Sequence, residues 1–150
     1  MGNEDGAAGD PWWATLDHSK ATASNVRGNH DDYAAANASN GTQSNKYWAT
    51  DDAITTPDLT LDFGKPTTFN VISLREAIQL GQRVDDWALD AWQGGAWQEF
   101  ARGSGIGARR LWRGQPLTSD KIRLRITRAA ACPALAGIAV YLEPEAGRGH

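Results

Sequence analysis

The sequence predicts an all-β fold, an antiparallel sandwich built from short strands. Its apolar stretches are brief and are bounded by clusters of Gly, Pro, Asn, Asp and Ser, the residues that make turns. One stretch, residues 121–127 (KIRLRIT), alternates without a fault. Ile122, Leu124 and Ile126 fall on one face and Lys121, Arg123 and Arg125 on the other. No segment carries the apolar spacing of an amphipathic helix three turns long. At 150 residues the chain makes one domain, long enough to bury a core without staples.

The elements follow in order. Residues 1–10 (MGNEDGAAGD) read as a linker without fixed structure, with neither the basic start nor the apolar segment of a signal peptide. The sandwich is expected over residues 11–144, and residues 145–150 are expected to fray. Pro11, Trp12 and Trp13 are too apolar to be left in water and should tuck against the domain or a neighbour. Residues 20–25 form a short small-residue strand, and residues 27–45 a loop dense in Gly, Asn, Asp and Ser. In residues 58–63, Leu59, Leu61 and Phe63 alternate with polar residues, a half-buried strand closed by Gly64, Lys65 and Pro66.

Residues 69–92 then read as strand, polar loop, strand. Phe69, Val71, Ile72 and Leu74 run up to Arg75 and Glu76; residues 77–83 form the loop; Val84, Trp87, Leu89 and Ala91 resume the extended pattern. Gln93, Gly94 and Gly95 turn the chain into a strand at 96–101. Residues 103–107 connect to a short strand at 109–112, the strand at 121–127 follows, and after a loop at 129–136 a last strand covers 138–142.

Composition removes several functions. Charged residues are 22% of the chain and the net charge is −3, so there is no basic field to hold nucleic acid or an anionic membrane surface. Mean hydropathy is −0.51 with no long apolar run, which excludes a membrane-spanning helix. Cys132 is the single cysteine, so no internal disulfide forms and the compartment stays undetermined. Residues 103–108 (GSGIGA) fit a dinucleotide fingerprint in letters alone, because a strand and not a helix follows them. The adjacent pairs Asp31-Asp32, Asp51-Asp52 and Asp85-Asp86 read as solvated turn residues, since neighbours in an extended chain point opposite ways. His18 and His30 are too few for a zinc site, and no G-x-S-x-G elbow is present. The Asn37 and Asn40 sequons read as chance occurrences.

What is left is a surface that binds. Seven tryptophans suit both a small β core and a platform for stacking sugar rings. Arg75, Glu76, Gln82, Arg83, Arg109 and Arg110 sit on rim loops where they can form charge-assisted hydrogen bonds to hydroxyl groups. Arg27, Asn29 and His30 of the earlier polar loop join this candidate carbohydrate-binding set. Trp48 is expected to be its exposed aromatic, because it opens a polar loop instead of lying in mid-strand.

Several motifs then carry a resemblance: YWAT at 47–50, LDFGKP at 61–66, FNVI at 69–72, EAIQLGQRV at 76–84, IGARRL at 106–111, IRLRIT at 122–127, CPAL at 132–135 and IAVY at 138–141. In this order the sequence resembles the discoidin-like (coagulation factor V/VIII type C) galactose-binding sandwich, and most of all the C-terminal domain of glycoside hydrolase family 29 α-L-fucosidases. The resemblance implies an eight-stranded jelly roll behind a catalytic (β/α)8 barrel that carries the reacting carboxylates. It implies an accessory domain, not an enzyme, with two partners: a fucose- or galactose-type glycan held weakly, and the barrel itself. It also implies a parent enzyme that meets glycans outside the cytoplasm, extracellular or periplasmic. Related free-standing modules of carbohydrate-binding module family 32 place their Arg at Arg75, their Asn near Gln82, and their stacking aromatic near Cys132 and Pro133, where this chain has none. Their structural Ca²⁺ site is degraded here. Asn40 replaces its Asp, Lys46 intrudes, and Gly137 replaces a late Glu, so little or no Ca²⁺ binding and no cofactor are expected. The alternative is a structural or protein-interaction sandwich that has lost sugar recognition.

Overall fold

A computed structural model describes residues 20–39 and 46–143. The expectations for residues 1–10, for Pro11-Trp12-Trp13, for Asn40 and for the last residues lie outside that range. Seven strands are described: β1 (Lys20–Ala23), β2 (Trp48–Ala49), β3 (Asp58–Glu76), β4 (Val84–Gln93), β5 (Ala96–Ser104), β6 (Arg110–Ala129) and β7 (Ala134–Tyr141). The loop between β1 and β2 holds 3-10 turns at Arg27–Asn29 and Asp31–Tyr33 and one α-helical turn, α1 (Ala36–Ser39). All pairings are antiparallel, in the order β2-β7-β3-β6-β4-β5 with β1 also on β3. The all-β expectation therefore holds.

Two strands are much longer than the sequence suggests, and they make the sandwich. The first part of β3, residues 58–62, lies between β1 and the second half of β6. From Thr67 it pairs with the first half of β6, and from Val71 also with β7. The ladder is irregular between Asp62 and Thr67 and again between Phe69 and Val71. Gly64 (φ 79°), in the first of these stretches, adopts a conformation that side chains resist, and Asp62 Oδ1 accepts the Gly64 N–H at 2.9 Å. The residues expected to end a strand at 64–66 instead form an irregular stretch within one. The same correction applies to the strands expected at 109–112 and 121–127: residues 110–112 and 121–127 belong to the single strand β6, which begins at Arg110.

The two halves of the sheet close on one apolar cluster. Leu59 and Leu61 of β3, Trp87 and Leu89 of β4, and Ile122, Leu124 and Ile126 of β6 meet Trp48, Leu135 and Val140 from the other side. The alternation read in residues 58–63 and 121–127 is the inward face of this core. Asn70 donates to and accepts from the Glu143 backbone, at 3.1 and 2.7 Å. Gly94 and Gly95 both take positive φ, as the expected β4–β5 hairpin turn requires.

On the outer face of β4, β5 and β6 a ladder of charges replaces the apolar core. Asp90 is only 2% exposed and is held by Arg123 at 2.8 Å and by Arg125 at 2.7 Å. Arg125 reaches on to Glu99 at 2.8 Å, and Glu99 also binds Arg102. Burial alone would raise the Asp90 pKa, but the hydrogen bonds from Arg125 and Arg123 outweigh it and hold the carboxyl below its ordinary range. Arg102 and Arg125 pull the exposed Glu99 down to about 2.

Both folded-state values lie below the unfolded ones, so the stability they contribute is present above the ordinary carboxylate range. It is lost as pH falls through the folded values, down to about 2 for Glu99. Arg125→Met should lower stability at neutral pH by roughly 2 kcal/mol. The gap from wild type should close as pH falls from about 5 to about 2. Thermal unfolding followed by circular dichroism across that range measures it, and a gap independent of pH would contradict the assignment.

Candidate functional site

One end of the sandwich is built from three segments that the strands bring together. The first is the turn after β1. The Asn25 side chain accepts the Asp51 N–H at 2.9 Å and donates to the Asp51 carboxylate at 3.2 Å. Asp51 Oδ1 accepts the Gly28 N–H at 2.8 Å. These bonds, the Gly28 amide foremost and then Asn25, hold the Asp51 pKa below its usual value. The clasp fixes residues 25–28 against 50–52 and aims Arg27 inward.

The second segment is β2. Tyr47, Trp48 and Ala49 alternate, so Tyr47 and Ala49 face one way and Trp48 the other. Trp48 enters the core and its Nε1 donates to Asn25 O at 2.9 Å. The expectation of an exposed Trp48 is therefore wrong: it is 0% exposed. Tyr47 takes the outward place, its ring 5.8 Å from that of Tyr33.

The third segment is the loop between β3 and β4, with residues 132–134 beside it. Glu76 is 3% exposed, and its carboxylate accepts three backbone N–H groups: Arg83 at 2.8 Å and Val84 at 3.1 Å on Oε1, and Gly107 at 2.9 Å on Oε2. The Glu76 N–H in turn donates to Gly107 O at 2.9 Å. Arg83 is thereby fixed at the strand entrance. Its side chain crosses to Cys132, donating to the carbonyl at 3.0 Å and approaching Sγ at 3.5 Å.

Between these segments lies a cleft of ≈ 220 Å³, lined by Arg27, Tyr33, Tyr47, Ala49, Asp52, Leu80, Arg83 and Cys132. Arg27 Nη1 donates to Thr50 O at 3.0 Å and pairs with Asp52 at 2.7 Å, which raises the guanidinium pKa further. The result is two guanidinium groups, one carboxylate, two phenol rings and an aliphatic edge around a space the size of a small ring.

A profile of the F5/8 type C domain matches residues 20–138. The chain belongs to the F5/8 type C domain family. Its plant relatives include a protein of Oryza sativa subsp. japonica, 32% identical over 124 residues, and the α-L-fucosidase 1 of Arabidopsis thaliana, 29% identical over 105 residues. These matches cover 81% and 68% of this chain, but only 24% and 21% of the relatives, so the chain spans about a quarter of their length. A Ruminococcus gnavus GH29 fucosidase solved in complex with fucose matches with a TM-score of 0.79 and 31% identity, over 88% of this chain and 27% of that one. A chitosan-binding module from Paenibacillus sp. IK-5 shares the fold alone, with a TM-score of 0.74 at 17% identity, over 86% of this chain and 98% of that one.

Within this F5/8 type C domain, two of the sequence candidates, Arg27 and Arg83, line the cleft. Asn29 and His30 are exposed on the adjoining turn; the His30 ring lies 6.3 Å from that of Tyr33, and its Nδ1 accepts the Asp32 N–H. Glu76 is behind the cleft, with both oxygens engaged by the backbone. Gln82 lies against Gly107, and Arg109 is exposed just beyond it. Arg75 lies across Gly137, where an added Cβ would sit 2.8 Å from its Nε. A longer side chain at 137 and this Arg75 conformation exclude one another. Among the described residues, no group of three or more His, Cys, Asp or Glu could hold a metal ion, and Asn40 lies outside them.

Sequence reasoning passed over Tyr33, Tyr47, Asp52, Leu80 and Cys132 as lining residues. Tyr47 could have been found from β2 alternation once Trp48 was assigned to the core. The Asn37 sequon is occupied internally, its amide donating to Asp32 O at 2.9 Å and to Tyr47 O at 3.3 Å.

Glu76→Gln puts an N–H₂ donor where backbone N–H groups now point. It should destabilise the domain by about 2–3 kcal/mol. Urea unfolding measures this, and an unchanged midpoint would show that the carboxylate does not hold this end together.

Proposed function

We propose that this domain is a non-catalytic carbohydrate-binding accessory module of an α-L-fucosidase, and that it holds a fucose- or galactose-type glycan weakly in the Arg27–Arg83 cleft. One observation carries the reading: convergent Arg27, Arg83 and Asp52 beside the Tyr33–Tyr47 pair, in a cleft at the loop end of the sandwich. Guanidinium N–H groups donate to sugar hydroxyl oxygens, and Asp52 accepts from a hydroxyl proton. A tyrosine ring packs on the C–H face of the sugar and excludes water from it. Asn29, His30, Gln82 and Arg109 extend the contact along the rim, and Glu76 positions Arg83.

The cleft offers one carboxylate, Asp52, already paired with Arg27. Glycoside hydrolysis ordinarily uses two carboxylates flanking the scissile bond. This favours binding over turnover, with the chemistry in a catalytic barrel of the parent protein. The identity to GH29 fucosidases over about a quarter of their length supports that parentage.

Calorimetric titration with fucose, galactose and fucosylated oligosaccharides tests the proposal. Dissociation constants of about 0.1–10 mM are expected for the best ligand. Tyr47→Ala and Arg27→Gln should each weaken it by roughly tenfold or more. The purified chain should leave an aryl fucoside intact. A flat response to the whole panel would overturn the reading in favour of a structural sandwich without sugar recognition, and turnover of the fucoside would overturn it in favour of an enzyme.

A further inference from the structure

The guanidinium groups lining the cleft are only partly engaged. Arg27 and Arg83 converge on one atom, their Nη1 groups standing 3.7 and 3.5 Å from Cys132 Sγ. Asp52 is the carboxylate of the lining, and Arg27 claims it at 2.7 Å. Arg83 has no carboxylate within ion-pair distance among the described residues, and Glu76 behind it has both oxygens on backbone N–H groups. Each arginine is anchored through Nη1: Arg27 on Thr50 O and Asp52, Arg83 on Cys132 O. The Nε and Nη2 groups of both have no hydrogen-bond partner among the described residues. The cleft lining thus holds two guanidinium groups and one carboxylate, Asp52, whose side chain is 85% exposed, while the carboxylates of Asp51 and Glu76 are held by backbone and amide N–H groups.

A guanidinium left in this state is a poor match to a neutral sugar. A hydroxyl oxygen takes one of its N–H groups, whereas a carboxylate or sulfate takes two in parallel, through charge-assisted bonds about twice as strong as neutral ones. We infer that the cleft prefers a sugar carrying an anionic substituent, a ring carboxylate or a sulfate ester, over its neutral parent, and that Arg83 reads the charge. The inference rests on the carbohydrate-binding reading and narrows the ligand class. The tyrosine pair holds the ring, Asp52 keeps Arg27 in place, and Arg83 supplies the open Nε–Nη2 fork.

The test is calorimetric titration of the chain with galacturonic acid, galactose 6-sulfate and galactose, which separate carboxylate, sulfate and neutral forms of one ring. At least one anionic sugar should bind roughly tenfold more tightly than galactose. That preference should shrink as salt is raised from about 0.02 to about 0.5 M. Arg83→Gln should abolish it and Arg83→Lys keep part of it, with near-ultraviolet circular dichroism confirming that each variant is folded. Because Arg83 also braces Cys132, the ligand and salt series on the unaltered chain decide the matter if the variants do not fold. Galactose binding as tightly as both anionic sugars would overturn the inference and leave carbohydrate binding standing. Failure of these three sugars together with fucose and the fucosylated oligosaccharides would overturn both.

Discussion

A carboxylate taken out of water must be met by donors, or it unfolds what surrounds it. Glu76 meets this condition with three backbone N–H groups from two different segments, Arg83 and Val84 at the entrance of β4 and Gly107 in the turn before β6. None of the three comes from the strand that carries Glu76. One side chain therefore welds the end of β3 to the two loops that would otherwise be free, and Arg83 reaches the cleft because its own amide is held. The return bond from the Glu76 N–H to Gly107 O closes the arrangement.

The opposite wall of the cleft follows from a simpler rule. Neighbouring side chains in extended backbone point to opposite faces, so where one of two adjacent rings enters the core the other must face away from it. Trp48 goes in and Tyr47 comes out, and the Asn25 carbonyl that receives the indole N–H belongs to the same turn whose side chain clasps Asp51. Core packing and site geometry are thus set by the same residues. The polar ladder on the outer face of β4, β5 and β6 lies apart from the cleft and steadies the sheet.

Much of the fold could be read from the sequence because alternation survives into the structure. Leu59, Leu61, Phe63, Ile122, Leu124 and Ile126 are buried where the pattern puts them. Strand ends were less legible. Gly64-Lys65-Pro66, and Gly114 with Pro116, carry turn-forming residues, yet here they lie inside β3 and β6. Only the partner strand distinguishes an irregularity within a strand from its end. The cleft was legible in its long charged residues, Arg27 and Arg83, which stand out in polar loops. Its aromatic and acidic members were not, since Tyr33, Asp52 and Cys132 meet only after the sheet has closed. Trp48 misled for the same reason: its hydrogen-bond partner lies 23 residues away in the chain.

The most direct measurement is amide hydrogen exchange on the unaltered chain, read at Arg83, Val84 and Gly107. These N–H groups have the Glu76 carboxylate as their acceptor, so a buried and ordered Glu76 predicts that they exchange slowly, together, and at a rate close to that of the β3–β6 ladder. Exchange at the rate of an open loop would contradict the account, because it would mean that this end of the sandwich is not held by that side chain.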